Sequence, residues 1–185
     1  MDDQMFIKIN NNMTFLLDTK NKILMFAFTT TLAMFGAALK IESSSVDMYT
    51  YTLPFFLLVP FTARITYYRI WKCHQSAYLR VFAHDRYMQA CEHEIPIEKN
   101  FIDKLLGLFV NCEMLFLSIG CSMIYYAKNF RYIECSLECI ILLFIPIAAT
   151  SLVAVFCFSA YNYSKMYSTY YNKWYRVWIE HSEKK

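Results

Sequence analysis

A chain of 185 residues that is 57% hydrophobic, with only 3 Gly and a net charge of +3, holds one compact unit and leaves no room for a second domain. Soluble domains are roughly 45–50% apolar; here the excess is gathered into long runs, the pattern of membrane-spanning helices. The 7 Cys are scattered and odd in number, which excludes a disulfide framework, and no Gly-rich phosphate loop, Gly-x-Ser-x-Gly elbow or CxxC pair supports the commoner catalytic chemistries.

The N-terminal stretch, about residues 1–20, is polar with spaced apolar positions (Met5, Phe6, Ile9, Met13, Phe15, Leu16) and reads as a short interfacial helix or a terminal tail. Asp2 and Asp3 stand where a signal peptide would be basic. The first apolar run, about 22–40, is bracketed by Lys22 and Lys40 and is near the minimum length for a span. A polar loop leads to a second span at about 51–70, with Pro54 in its first turn and Pro60 expected to kink it. That helix continues as a basic, aromatic extension to about Cys91, stopping before Ile95-Pro96. A third span is expected at about 103–127 and a fourth at about 133–158, the latter with Pro146 inside it.

In the tail, Tyr163, Tyr167, Tyr170, Trp174 and Trp178 recur at intervals of three or four and draw one stripe down a helix. Such a stripe is a packing seam, and its natural partner is the extension of the second helix. The expected seam comprises Trp71, Tyr78 and Phe82 on one side and Tyr167, Tyr170, Trp174 and Trp178 on the other. The expected architecture is therefore all-α: a four-span transmembrane helical bundle with long helices 2 and 4 extending into the cytoplasm as a layer from about 71–100 and 159–185. Of the 18 Lys and Arg, all but Lys40, Lys128 and Arg131 fall on the side of the termini. That bias places both termini in the cytoplasm.

Ionisable groups at membrane depth cost a few kcal/mol unless paired. Arg64, Asn111 and Glu113 fall at similar levels of spans two and three, and are expected to form a polar layer in which Arg64 pairs with Glu113. Such a layer either fixes helix register or lines an ion path. His84, Asp85, Cys91, His93 and Glu94 collect donor atoms, but His-x6-Cys-x-His at one helix end is not a zinc spacing; no metal and no cofactor is expected.

Arg69 and His74 stand with four residues between them, and Arg176 and His181 repeat that spacing. Arg-x4-His resembles the motif of HEPN-type ribonucleases. The resemblance implies catalytic roles for Arg69, His74, Arg176 and His181, with Arg steadying phosphate charge and His moving a proton. At 1.5 Å per residue His74 would lie about one turn beyond the inner surface and His181 several turns farther, so the two motifs of one chain would not meet. Tyr67-Tyr68-Arg69 followed by Ser76-Ala77-Tyr78-Leu79-Arg80-Val81-Phe82 looks like a run found just below a membrane helix in uncharacterised small bacterial membrane proteins. Size, layout and the Arg-x4-His pairs together resemble the membrane accessory proteins of CRISPR and other antiphage loci, some of them HEPN-like and pore-forming.

That resemblance implies a defence effector that forms an oligomeric pore or perturbs the membrane. A membrane-bound HEPN-like RNase and a non-catalytic scaffold or small transporter are the alternatives. The expected partners are membrane lipid, further copies of the chain, and RNA or protein on the basic cytoplasmic surface.

Overall fold

The computed structural model describes residues 3–38, 49–84, 101–129, 137–161 and 163–182, with the side chains of 101–108, 110–111, 137–139 and 160–165 outside that description. The described residues form five helices and no strand: α1 (Asp3–Ala38), α2 (Leu53–Phe82), α3 (Phe101–Asn129), α4 (Leu137–Tyr161) and α5 (Tyr163–Ser182). The all-α class expected from the periodicity is the class found.

Three boundaries differ from expectation. The N-terminal stretch is no separate interfacial helix but the first half of α1, a single helix of 36 residues. Neither Gly nor Pro occurs between Asp3 and Phe35, so nothing in the chain interrupts it. At 1.5 Å per residue α1 is about 54 Å long, well beyond the roughly 30 Å of a bilayer core. The second helix ends at Phe82, where the Ala83 N–H donates to the Leu79 carbonyl at 2.8 Å. The fourth helix does not run on into the tail; α4 and α5 are separate elements.

The start of α2 follows from local chemistry. The Thr52 hydroxyl donates to the Tyr49 carbonyl at 2.6 Å, and Pro54 occupies the first turn, where its missing N–H costs nothing. Both α2 and α4 run through Pro60 and Pro146 as single helices. The departure from helical geometry lies instead in α3, at Cys112 (φ −112°, ψ 16°).

Pro146 has no N–H to give the Leu142 carbonyl one turn earlier. That carbonyl accepts a hydrogen bond from the buried Tyr125 hydroxyl at 3.1 Å, and Tyr126 donates to the neighbouring Leu143 carbonyl at 2.7 Å. Two tyrosines of α3 thus satisfy the carbonyls around the proline of α4. Nearby, Ser118 and Ser122 both share hydrogen bonds with Thr150, at 2.8 and 2.9 Å.

The hub is α2: it packs against α1, α4 and α5, while α3 packs mainly on α4. One hydrophobic cluster joins α1 through α4, with Ala27 and Phe35, Phe55 and Leu58, Met114 and Tyr125, and Ala149 and Val153 among its buried members. The four described thiols, Cys73, Cys112, Cys121 and Cys157, are buried and pack as small apolar groups.

Candidate functional site

Contacts between helices fix which residues share a level. Along α1 and α2, Phe35 meets Phe55, Phe26 meets Phe61, and the Ser76 hydroxyl donates to the Met13 sulfur at 3.4 Å. This is a steady antiparallel register. Lys20 lies midway between Met13 and Phe26; its counterparts, midway between Phe61 and Ser76, are Tyr68 and Arg69. The Thr66 hydroxyl donates to the Phe156 carbonyl at 3.3 Å, tying α4 to the same height. Extending the Ser118–Thr150 contact downward by equal steps brings Cys112 level with Phe156. One layer across the bundle therefore contains Lys20, Arg69, Glu113, Cys112 and Cys157.

Electrostatics agree with the register. Lys20 feels the charges of Arg69, Glu113 and Lys72, and Arg69 feels those of Glu113 and the two cysteines. All four charged side chains are half-buried. Glu113 Oε2 is buried without a hydrogen-bond partner. It directly follows the Cys112 break, and the Leu115 backbone N–H lies against the Cys157 thiol there.

Arg64 does not take the expected place beside Glu113. It is exposed, its Nε donates to the Tyr68 hydroxyl at 3.0 Å, and its guanidinium lies 5.6 Å and 4.9 Å from the Tyr67 and Tyr68 ring centroids. Arg69 is five residues on, about 140° around the helix, and shares the interior with Glu113. The Asn111 side chain lies outside the described residues.

Below this layer the lower half of α2 meets α5 in an aromatic cluster. His74 stacks on Trp71 (5.5 Å) and meets Tyr170 and Trp174 edge-on (5.0 and 5.1 Å). Tyr78 and Phe82 stack together and both touch Trp174. The remaining aromatics form a second row along α5: Tyr167 stacks on Tyr171, Tyr171 on Tyr175, and Tyr175 on Trp178, with Arg80 over the first two rings. The tail stripe is thus two rows, and Tyr171 and Tyr175 join it.

His74 is pushed below the usual histidine range, chiefly by burial in this cluster and then by the nearby Lys173. Arg69 and His74 look into different surroundings, the charged layer and the aromatic cluster. Arg176 and His181 are exposed on α5. The four residues of the two Arg-x4-His pairs are not gathered into one site. The donor set from Asp85 to Glu94 lies outside the described residues, and no group of three metal-binding side chains occurs among those described.

Sequence reasoning overlooked Lys20 and assigned Arg69 only to the His motif. Pairing the two apolar runs in antiparallel register would have found both. Comparison with family models, with curated proteins and with solved structures finds no match.

Proposed function

We propose that the chain is a non-enzymatic, four-span effector of the bacterial inner membrane, with both termini cytoplasmic, that changes membrane permeability when copies assemble in an antiphage, CRISPR-type defence setting. The observation that carries the membrane part is the exposure of its most apolar helices. Among the described residues two helices, α1 and the Ile140–Ser159 stretch of α4, are long and apolar enough to cross a bilayer, yet only 22% and 28% of their apolar windows are buried. In a water-soluble fold an all-round apolar helix is a core helix. Here Ile141, Phe144, Ile147, Leu152, Val155 and Phe158 of α4 are open, as are Met25, Phe26 and Leu32 of α1. Hydrocarbon tails are the surroundings that suit such faces.

Packing supports the four-span layout. α2 is held between α1 and α4, and α3 leans on α4, so two crossing helices, α1 and α4, bring α2 and α3 alongside them. The distribution of Lys and Arg supports the orientation. The defence setting rests on the resemblance of layout and motif alone. For the effector role, the support is α2 itself: one helix belongs both to the bundle and to the aromatic pairing with α5, so a partner that moves α5 moves a spanning helix.

The test is flux from liposomes holding the purified chain. Release of potassium or a small dye that rises with protein density, and that Glu113→Ala alters without changing assembly, supports the reading. No release at any density removes permeability as the function and leaves a membrane-anchored scaffold or binding module.

A further inference from the structure

We propose that the outer face of α1 is the contact surface for a second copy of the chain, packed parallel to the first. The buried positions of α1, from Leu16 through Ala27, Thr31 and Phe35 to Ala38, turn toward α2, its main neighbour among the described residues. On the opposite side one strip runs the length of the helix through Lys8, Phe15, Asp18, Lys22, Thr29 and Gly36, all of them exposed. Met25 and Leu32 lie on the same strip and are 65% and 60% exposed.

Lipid accounts for only part of this face. A bilayer core takes up about 20 residues of a helix, and the apolar run of α1 starts just above Lys22. The part below stands in water, yet Phe15 there is 64% exposed and Ile7 56%. Open apolar side chains grouped in water mark a protein contact. The upper end points the same way. Gly36 has no positive φ, and no atom lies within 4 Å of the place a Cβ would take, so its own chain gives no reason for a residue that weakens helices. Thr29 turns its hydroxyl back to the Met25 and Phe26 carbonyls at 2.9 and 3.1 Å. Small residues on an open face let two membrane helices approach closely.

The occupant follows from charge and size. Copies in one membrane share one orientation, so a two-fold pair is parallel and in register. Asp18 of each copy then stands one turn from the partner's Lys22, which gives two contacts between opposite charges where the hydrocarbon ends. A strip about 10 Å wide along a helix about 54 Å long is roughly 500 Å² per copy, or roughly 1,000 Å² in all, the size at which specific interfaces begin. The pairing rests on the membrane reading above and leaves the open face of α4 to lipid.

The test uses the full chain in cell membranes. A benzophenone amino acid replaces, one at a time, Phe15, Met25 and Leu32 of the strip, and Met123 of α3 and Phe144 of α4, which are as open at 69% and 61%. Light should give a dimer band from the α1 positions and severalfold less from the other two. Gly36→Leu, for which the chain itself has room, should lower the band from Met25 severalfold with unchanged helix content. Asp18→Lys should lower it too, and adding Lys22→Asp should restore it. Equal bands from all positions, no band from α1, a band indifferent to these substitutions, or a band at the mass of a different protein overturns the pairing. Dimer bands without release from liposomes leave this face standing and remove permeability; release without the bands does the reverse.

Discussion

At the scale of single residues, the tyrosine at the proline of α4 is the sharpest case. A proline inside a helix strands the carbonyl four residues earlier, and in an apolar bundle a stranded carbonyl must find another donor. Tyr125 supplies it to Leu142 from a fully buried position. Tyr125→Phe keeps the ring and removes only the donor, so it should cost about 1 kcal/mol, within the range for buried interhelical hydrogen bonds. Pro146→Ala restores a backbone N–H to the same carbonyl. In that background the tyrosine substitution should become close to neutral, which a double-mutant cycle on unfolding in detergent would read. Equal costs in the two backgrounds would mean that the hydroxyl does not serve this carbonyl. The same scale shows where sequence reasoning stops. Arg64 and Arg69 are both arginines at the end of one apolar run, and only the rotation of α2 about its axis decides which meets Glu113. That rotation is set by packing against α1 and α4, a tertiary fact with no local signature.

At the scale of elements, the aromatic periodicity of the tail was legible because side chains three or four apart must share a helical face. Its division into two rows was not, since both rows satisfy the same spacing and only the position of α2 separates them. The break in α3 left no trace either: Cys112 is neither Gly nor Pro. The α2–α5 seam also carries a pH dependence whose sign can be worked out. His74 is held below its ordinary range by burial and by Lys173, so between that range and its lowered value the separated helices bind more protons than the packed ones. Stability of the seam should therefore fall as pH drops through the ordinary histidine range. All 3 Trp of the chain lie on α2 and α5, and two of them, Trp71 and Trp174, touch His74, so a change in tryptophan emission follows this seam. Emission should shift to the red on acidification and should cease to respond in His74→Phe. A shift that persists in that variant would assign the effect to another group. Trp174→Ala, which removes the ring that His74, Tyr78 and Phe82 share, should cost roughly 2–3 kcal/mol, less than for a fully buried tryptophan. It should open α5 to proteolysis while α1–α4 stay protected.

At the scale of the whole molecule, the choice between a bilayer and water comes down to what the open apolar faces touch. The two surroundings make opposite demands of one side chain. Phe144 is 61% exposed near the middle of α4. In water an exposed phenylalanine contributes little to stability, and replacing it by aspartate helps solubility. In a bilayer the same substitution places a carboxylate near the hydrocarbon centre, at about 2.5–3.5 kcal/mol on insertion scales. Phe144→Asp should therefore lower the membrane-integrated fraction severalfold. Phe144→Leu, which keeps the face apolar, should leave that fraction unchanged. The control, at a similar distance from the middle of α4 but of opposite exposure, is Val153, buried against the other helices. Val153→Ala should weaken folding in detergent with little effect on insertion, because it opens a cavity and adds no charge. A soluble, folded Phe144→Asp protein that no longer needs detergent would mean that α4 faces another protein surface and not lipid. The open faces of α1 and α4 would then belong to an interface.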